Sequence, residues 1–509
     1  MRNYLTLSYI ICNLIIYSSI ASASSITRIE PGDKIDSHHQ LGQSSFYTLE
    51  LQDGEYALLQ LDQRGIDLVI DVIGPDGQKI ETFDSNNGAE GHEIILINAK
   101  QAGEYKILVC SLGENKKVRS GSYRLQYRNK TSDLRDHLHQ TLMAINDREL
   151  LPGFAVSVLN KDGVLFQNGY GWADLEGRIP FTIHSLGGVA SVSKTFIGVA
   201  LMQLAAEGRL DLEMPINDIL PFDIDHPYHH NVPIRVKHLA SHTGGLNYSK
   251  YYSKKAYVLQ QRENINKVGL HKNEYEFFSN AKENEMLNLE TYFKNMYTKS
   301  GPWYSKKNFT KSAPGEKFKY SNSGAALAAY IVELISGQSF AEYTEANIFK
   351  PLGLKHTSWT VNKLDTQQLV RGYGIYRSAL PRYAVVTYPD GGLVTSVHDL
   401  SRYFISLLRS LHGESDLIPE LYARMMMSPQ ARDGKRSYGY FWEFTSKGQM
   451  GHSGGDAGML AYMFCDQAAK AGCIILCNMT YQPGGGGVAF THIRDVLNRY
   501  KGSLDIAGV

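Results

Sequence analysis

The stretch that decides the fold is Val189-Ala190-Ser191-Val192-Ser193-Lys194-Thr195-Phe196, followed by an apolar run from Ile197 to Ala206. This run is apolar on nearly every side, which predicts a helix buried on all its faces. Ser191 is expected in the first turn of the helix, and Lys194, three residues later, on the same face. The partial positive charge of a helix N-terminus would favour an oxyanion beside the serine. A desolvated lysine can accept a proton from a serine hydroxyl, so the stretch indicates an activated nucleophile.

The pattern is weak by itself, because Ser-x-x-Lys recurs at Ser279-Asn280-Ala281-Lys282 in a polar stretch. A second motif, Tyr320-Ser321-Asn322, precedes an expected helix from Gly324 to Ile335. A tyrosine can act as a base where a neighbouring cation stabilises its phenolate, and Lys194 is the natural candidate. Asn322 is suited to holding a substrate amide.

Composition and the N-terminus bound the class of protein. The chain has 509 residues, a formal net charge of +1 and 43% hydrophobic residues, which predicts two or three globular domains and gives no reason to expect a nucleic-acid partner. Residues 1–23 predict a cleaved secretory signal, with Arg2, an apolar stretch and the small residues Ala21-Ser22-Ala23. The alternative is a retained membrane anchor. We expect an exported protein, periplasmic or secreted, with no stable membrane span after cleavage.

Four cysteines remain beyond the signal: Cys110, Cys465, Cys473 and Cys477. Export permits disulfides, and Cys465 and Cys473 flank a predicted hairpin turn across which they could pair. The alternative, which we favour, is a set of buried free thiols on strands.

Residues 24–130 predict an accessory β-sandwich. Short strands such as Phe46–Leu51 and Leu68–Ile73 alternate with turn signals such as Gly74-Pro75-Asp76-Gly77. The region resembles the pre-peptidase C-terminal-like domains attached to many secreted hydrolases, which implies an accessory domain for carbohydrate or protein contact; the alternative is a plain structural spacer. An amphipathic helix follows, marked by Leu134, Leu138, Leu142 and Ile145, with Thr131 or Ser132 as its N-cap. We place the domain boundary before this helix, so that the second domain covers residues 131–509.

The second domain opens with a helix and two strands. The turn Asn160-Lys161-Asp162-Gly163 between apolar strands predicts a hairpin, and this order of elements indicates an antiparallel sheet with helices on its faces. Residues 247–312 are rich in Lys, Tyr and Asn, and they are interpreted either as a wall beside the site or as a surface insertion. His226, His229 and His230 lack cysteine or carboxylate partners at ligand spacing, so no metal or other cofactor is predicted.

Three motifs stand in one order: Ser191-Val192-Ser193-Lys194, Tyr320-Ser321-Asn322 and His452-Ser453-Gly454, the last on a predicted strand. Residues 135–500 thereby resemble the serine β-lactamase and penicillin-binding superfamily, in its class C β-lactamase-like branch. That branch includes D-alanyl-D-alanine carboxypeptidases, D-aminopeptidases and esterases. The implied fold is a multidomain α+β protein: the β-sandwich, then an antiparallel sheet flanked by helices with a helical subdomain.

The resemblance also implies roles for individual residues. Ser191 attacks a carbonyl and is acylated, while Lys194 and Tyr320 share the base and acid steps. The backbone amides of Ser191 and Gly455 form the oxyanion hole, and Asn322, His452 and Ser453 bind substrate. His452 stands where many β-lactamases carry lysine, so we expect β-lactam hydrolysis to be poor. The predicted substrates are D-amino-acid peptides, as in peptidoglycan, and then small esters.

Two other interpretations compete with this assignment. Gly451-His452-Ser453-Gly454-Gly455 matches the nucleophile elbow of α/β-hydrolases, with Asp466 and His492 following in triad order, although the elbow needs a helix after the serine. The other is a non-hydrolysing protein that binds penicillin or cell-wall peptides, whose mark would be loss of Ser191, Lys194 or Tyr320.

Overall fold

A computed structural model describes residues 26–85, 87–111, 120–147, 150–247, 249–260, 263–265, 267–466, 468–482 and 485–507. The predicted signal, residues 1–23, lies outside the described residues. The chain divides into two compact units, Met1–Arg148 and Glu149–Val509.

The first unit contains two sheets, with strand orders β1-β3-β8-β5-β6 and β2-β9-β4-β7. Alternate residues of the strands are buried, as at Tyr123, Leu125 and Tyr127 of β9, and these side chains form one apolar core. The predicted β-sandwich is therefore confirmed, whereas its resemblance to pre-peptidase C-terminal-like domains stays a prediction. The strands are β1 Ile26–Arg28, β2 Lys34–Gln40, β3 Ser44–Leu51, β4 Tyr56–Arg64, β5 Leu68–Ile73, β6 Lys79–Phe83, β7 Glu90–Asn98, β8 Gly103–Ser111 and β9 Ser120–Thr131.

Helix α1, Leu134–Asn146, follows β9 and buries its apolar face. Its N-cap is Asp133, whose side chain accepts hydrogen bonds from the backbone amides of Arg135 and Asp136. The prediction of Thr131 or Ser132 as the cap is therefore wrong. The helix packs on β4 and β9 and so lies in the first unit. The domain boundary that we placed before residue 131 stays a prediction.

The second unit is built around a nine-stranded antiparallel sheet of order β12-β11-β10-β22-β21-β20-β19-β18-β17. Its central strands, β10, β21 and β22, are almost wholly buried, which explains their continuous apolar sequences. The strands of this unit are β10 Gly153–Asn160, β11 Val164–Asp174, β12 Ile179–Pro180, β13 Gly187–Gly188, β14 Tyr257–Leu259, β15 Tyr383–Val385, β16 Val394–Thr395, β17 Ala431–Asp433, β18 Arg436–Tyr438, β19 Glu443–Phe444, β20 Gln449–Asp456, β21 Met459–Asp466 and β22 Ala471–Cys477.

Helices cover this sheet and form a layer beside it. Two long helices, Val397–Ser410 and Gly485–Ala507, pack on β10 and β22. The helices are α2 Lys194–Ala206, α3 Val236–Ala240, α4 Lys250–Lys255, α5 Lys272–Lys282, α6 Leu289–Tyr297, α7 Asn322–Ser336, α8 Phe340–Thr344, α9 Lys350–Leu352, α10 Val397–Ser410, α11 Glu420–Met426 and α12 Gly485–Ala507. The predicted α+β architecture is thus confirmed.

Helix α2 is the predicted buried helix, and it packs against α7 and α11. It begins at Lys194, because a short 3₁₀ turn, Ala190–Ser193, precedes it and carries Ser191. The serine therefore lies one turn before the helix and not within its first turn.

The remaining sequence predictions concern loops and cysteines. The hairpins β10–β11 and β21–β22 are confirmed, and residues 247–312 contain α4, α5 and α6. Cys465, Cys473 and Cys477 are buried free thiols, and Cys110 is half-buried.

No single helix among the described residues combines the length and apolar composition needed to cross a membrane. The pair Asn322–Ser336 and Phe340–Leu352, bent by 78°, reaches that length and composition only when its two helices are counted together.

Candidate active site

The turn before α2 fixes the position of Ser191. Ala190 adopts a left-handed conformation with φ of 45°, which is strained for a residue with a β-carbon. The turn is tied to the loop before β16, since the Val189 amide donates to the Leu393 carbonyl at 3.0 Å and the Leu393 amide donates to the Ser193 hydroxyl at 3.2 Å. Ser193 thus supports the turn, and Ser191 is left half-buried with its hydroxyl toward Lys194.

Lys194 is completely buried, and its amine donates a hydrogen bond of 2.9 Å to the Ser191 hydroxyl. It also donates to the backbone carbonyl of Asp390. Burial lowers the pKa of Lys194 below its usual range, although the carboxylates of Asp390, Glu443 and Asp456 oppose the change. The lysine is therefore placed and tuned to accept the serine proton.

Tyr320 completes the cluster, because the Lys194 amine lies 5.3 Å from the centre of its ring. The phenol oxygen is buried and makes no hydrogen bond of good geometry within the described residues. Burial raises its pKa well above the usual value, and the adjacent Ser191 hydroxyl partly counteracts this. Tyr320 is therefore a neutral phenol at rest, able to donate a proton to a group that enters between it and Ser191.

Two neutral histidines flank Tyr320. The His242 ring lies against the tyrosine ring, with 4.5 Å between centroids and a tilt of 35°, and the centroid of the His452 ring lies 6.3 Å from that of Tyr320. The Ser321 amide donates to Nδ1 of His242 at 3.2 Å, and Nδ1 of His452 donates to the Ser453 carbonyl at 2.6 Å. Burial lowers the pKa of both rings. The two uncharged rings therefore hold the Tyr320 ring in position by packing, without adding a charge beside its hydroxyl.

Strand β20 carries the third motif along the same cleft. Ser453 lies in the middle of the strand, with its hydroxyl exposed and donating to Oε2 of Glu443 at 3.1 Å. A nucleophile elbow requires a sharp turn into a helix directly after the serine. Here the strand continues past Ser453 to Asp456, so that turn and helix do not follow it. The competing assignment of Ser453 as the nucleophile is therefore wrong.

Beyond Gly451, strand β20 is no longer paired with β19, and this part of the strand lies directly against the turn Ala190–Ser193 that carries Ser191. A β-carbon on Gly454 would come within 2.3 Å of the Val189 carbonyl and 3.1 Å of the Ser191 amide nitrogen, so only glycine permits this approach. Gly455 follows on the same strand and is exposed. The oxyanion hole expected from the backbone amides of Ser191 and Gly455 stays a prediction.

Asn322 is the first residue of α7, directly after the N-cap Ser321. Its side-chain oxygen is buried and has no hydrogen-bond partner among the described residues. An unsatisfied amide oxygen beside Tyr320 is suited to accept a hydrogen bond from a substrate N–H.

A buried acid behind Lys194 is absent from the sequence predictions. The Asp390 carboxylate is 2% exposed and accepts a hydrogen bond of 2.9 Å from the Tyr252 hydroxyl. Burial raises the pKa of Asp390, and Lys194 opposes the change. Asp390 directly precedes Gly391-Gly392, and Tyr252 lies among the aromatics of residues 247–312. Part of that insertion therefore borders the site from behind.

The structure thus brings Ser191, Lys194 and Tyr320 together and places His452 beside them. The histidines at 226, 229 and 230 lie elsewhere, with His230 paired to Asp225 at 2.6 Å. Across the described part of the chain, no group of three or more His, Cys, Asp or Glu residues is arranged to hold a metal ion.

An antiparallel sheet flanked by helices, with a serine, a lysine and a tyrosine converging on one cleft, is the arrangement of a serine-hydrolase-type protein. The chain belongs to the Beta-lactamase family, whose family model matches residues 138–498.

Relatives match the chain at low identity. Protein flp from Staphylococcus aureus (strain MW2) is 22% identical over 376 residues, which cover 70% of this chain and 68% of that protein. The serine beta-lactamase-like protein LACTB, mitochondrial, from Homo sapiens is 28% identical over 311 residues, covering 54% of this chain and 56% of that protein.

Solved structures show the same fold. The octameric penicillin-binding protein homologue from Pyrococcus abyssi aligns with a TM-score of 0.57 at 22% identity, covering 71% of this chain and 77% of that one. A penicillin-binding protein from Bacillus halodurans gives 0.53 at 22% identity over 70% and 98% of the two chains. A class C beta-lactamase gives 0.51 at 18% identity over 72% and 94%.

Proposed function

We propose that this protein is an exported serine hydrolase that forms an acyl-enzyme on Ser191 and cleaves amide or ester bonds. The observation that carries the proposal is the 2.9 Å hydrogen bond between the buried amine of Lys194 and the Ser191 hydroxyl, with Tyr320 beside both. A buried amine of lowered pKa is the base that a serine needs to become nucleophilic.

The proposed reaction has two halves. In the first, Lys194 takes the Ser191 proton as the serine oxygen bonds to the substrate carbonyl carbon, and the amides of Ser191 and Gly455 stabilise the oxyanion. The bond to the leaving group then breaks as Tyr320 donates its proton to that group. The protonated Lys194 in turn returns a proton to Tyr320. In the second half, water attacks the ester of Ser191, and the same residues return its proton to the serine.

D-amino-acid peptides of the carboxypeptidase or aminopeptidase type are the leading substrate class, with peptidoglycan as the natural source. The support is the order of the three sequence motifs, together with the two penicillin-binding neighbours in structure. Small esters come next, because the uncharged His452 ring offers no cation for a substrate carboxylate. The same feature argues for weak β-lactam turnover.

Covalent labelling tests the nucleophile. The protein is incubated with a fluorophosphonate probe and with a fluorescent penicillin, and the labelled residue is located by peptide mass spectrometry. We expect labelling to be lost in Ser191→Ala and retained in Ser453→Ala, which serves as the matched control. Retained labelling in Ser191→Ala would end the proposal.

A substrate panel tests the reaction class. D-peptides, acyl esters and a chromogenic cephalosporin are compared side by side, with wild-type protein and Ser191→Ala. Turnover that depends on Ser191 identifies a hydrolase, whereas a stable acyl-enzyme without turnover identifies a penicillin-binding protein that does not hydrolyse its ligand.

Export and the role of the first unit belong to the same proposal. We expect expression of the full chain to yield a product that begins at residue 24, in the periplasm or medium, by N-terminal sequencing of cell fractions. The β-sandwich is proposed as an accessory domain, and a pull-down on isolated peptidoglycan with residues 24–148 deleted, which removes α1 together with the strands it packs on, tests whether it contributes to binding.

A further inference from the structure

One end of the cleft holds an acid where a substrate anion would be expected to bind. Ser453, predicted to bind substrate, donates its hydroxyl hydrogen bond to Oε2 of Glu443 at 3.1 Å. The other carboxylate oxygen of Glu443 lies 3.7 Å from Nδ1 of His452. The Glu443 side chain is 20% exposed, so it is reachable from the cleft and is not sealed in the core.

Strand pairing puts the glutamate there. Glu443 lies on the short strand β19 opposite Gly451 of β20, next to the residues of the third motif. Its charge acts on Lys194, Tyr320 and His452, which places its field across the reacting groups. The Glu443 carboxylate thus lies at the part of the cleft that is lined by Ser453 and His452.

The two histidines of the cleft do not offset this charge. His452 donates Nδ1–H to the Ser453 carbonyl and is uncharged, because burial lowers its pKa, and His242 is uncharged for the same reason. Asp390 and Asp456 act on Lys194 from within the protein and add negative potential. Within the described residues, the amine of Lys194 is engaged with Ser191 and the Asp390 carbonyl, so a substrate carboxylate placed beside Ser453 would face the carboxylate of Glu443.

We propose that Glu443 is a specificity-determining residue that selects substrates carrying an ammonium group close to the scissile carbonyl and rejects substrates carrying a carboxylate there. The proposal rests on the serine hydrolase activity proposed above. An ammonium has three donors and can bind the Glu443 carboxylate while the Ser453 hydroxyl holds that carboxylate in place. Of the two peptidase types in the proposed function, this favours the aminopeptidase type, with amides and esters that carry a free amine, over the carboxypeptidase type, whose substrates end in a carboxylate.

Two charge series test this selection. The first has one leaving group and three acyl parts: the 4-nitroanilides of D-alanine, N-acetyl-D-alanine and N-succinyl-D-alanine, which are cationic, neutral and anionic. The second has one acyl part, N-acetyl-D-alanine, joined as amides to ethylenediamine, propylamine and glycine, which leave a cationic, a neutral and an anionic group after the scissile bond. In at least one series we expect kcat/KM to fall by about tenfold or more from the cationic to the anionic member.

The variant Glu443→Gln keeps the shape of the side chain and its contact with Ser453 but removes the charge. We expect the ratio of kcat/KM for cationic over anionic substrates to fall by about tenfold, with KM carrying most of the change. The control Glu420→Gln removes one charge from an exposed helix pair with Arg424 and is expected to keep the wild-type ratio. Equal ratios for wild type and Glu443→Gln, or a preference of the wild type for the anionic members, would overturn the proposal.

Fluorophosphonate labelling of Ser191 separates this proposal from the activity on which it rests. Labelling of Ser191 together with charge-blind kinetics refutes the selectivity alone. A protein that is neither labelled nor active on either series refutes the hydrolase assignment itself.

Discussion

Lys194 and Asp390 meet through the backbone: the lysine amine donates to the carbonyl oxygen of Asp390, while the carboxylate of the same residue is turned toward the Tyr252 hydroxyl. The carbonyl fixes the amine beside Ser191, and the carboxylate acts on it through its field. One residue therefore both positions the proposed base and sets how readily it holds a proton.

Replacing Lys194 by alanine removes the proposed base while leaving the serine in place. We expect the rate of acylation by a fluorophosphonate probe to fall by about 100- to 10,000-fold, the range typical of a general base. The control is Lys282→Ala, which removes the exposed lysine of the other Ser-x-x-Lys pattern and is expected to leave the rate unchanged. Near-normal labelling of Lys194→Ala would contradict the assignment of the base.

The pH profile of acylation depends on the charge of Asp390. The active form of the base is unprotonated and exists above its pKa, so activity falls as pH drops through that value. The Asp390 carboxylate raises the pKa of both Lys194 and Tyr320. Asp390→Asn is therefore expected to move the acid limb of the profile to lower pH, by about one pH unit.

A second variant checks the direction of that change. Tyr252→Phe removes the donor that stabilises the Asp390 carboxylate, so Asp390 holds its proton more strongly. The acid limb should therefore also move to lower pH, by a smaller amount than in Asp390→Asn. The control Tyr343→Phe removes a buried hydroxyl with no hydrogen-bond partner in the described residues and should leave the limb in place. An acid limb that moves to higher pH in Asp390→Asn would refute the role of this charge.

Much of the second unit could be predicted from local sequence. The apolar run of α2 admits only a buried helix, and Asn160-Lys161-Asp162-Gly163 between two apolar strands specifies a hairpin. The convergence of Ser191, Lys194 and Tyr320 could be predicted only from the order of the three motifs and the family that they resemble. Nothing in the sequence around Tyr320 requires it to meet a residue more than a hundred positions earlier.

The groups that tune the site could not be predicted, because they meet through long-range register. Glu443 reaches Ser453 only because β19, a strand of two residues, pairs with β20 at Gly451. Tyr252 and Asp390 are 138 residues apart. One signal was available: Glu443 is the single charge in the aromatic run Tyr440-Phe441-Trp442-Glu443-Phe444, and a charge there needs a partner.

The N-cap of α1 gives a test of local energetics in the first unit. Asp133→Ala removes the side chain that accepts from the amides of Arg135 and Asp136 and should destabilise the helix by about 1 kcal/mol. Hydrogen exchange of the amides within Leu134–Asn146 should accelerate by about fivefold if they exchange by local opening. Ser132→Ala, at the cap position that the sequence suggested, should leave their exchange unchanged; acceleration by that variant alone would restore the original assignment.

Gly454 tests whether the close approach of β20 to the serine turn is required. A β-carbon there would lie 2.3 Å from the Val189 carbonyl and 3.1 Å from the Ser191 amide, so the strand or the turn must move in Gly454→Ala. A displacement of about 1 Å at a reacting group can cost about 100-fold in rate, and we expect a loss of that size in labelling of Ser191. Circular dichroism should show that the variant remains folded, with stability reduced by about 1–3 kcal/mol.

The control Gly502→Ala adds a β-carbon on α12 with no atom within 4 Å, and should gain about 0.5–1 kcal/mol without changing the labelling. Wild-type labelling of a folded Gly454→Ala protein would show that the oxyanion hole does not depend on this approach.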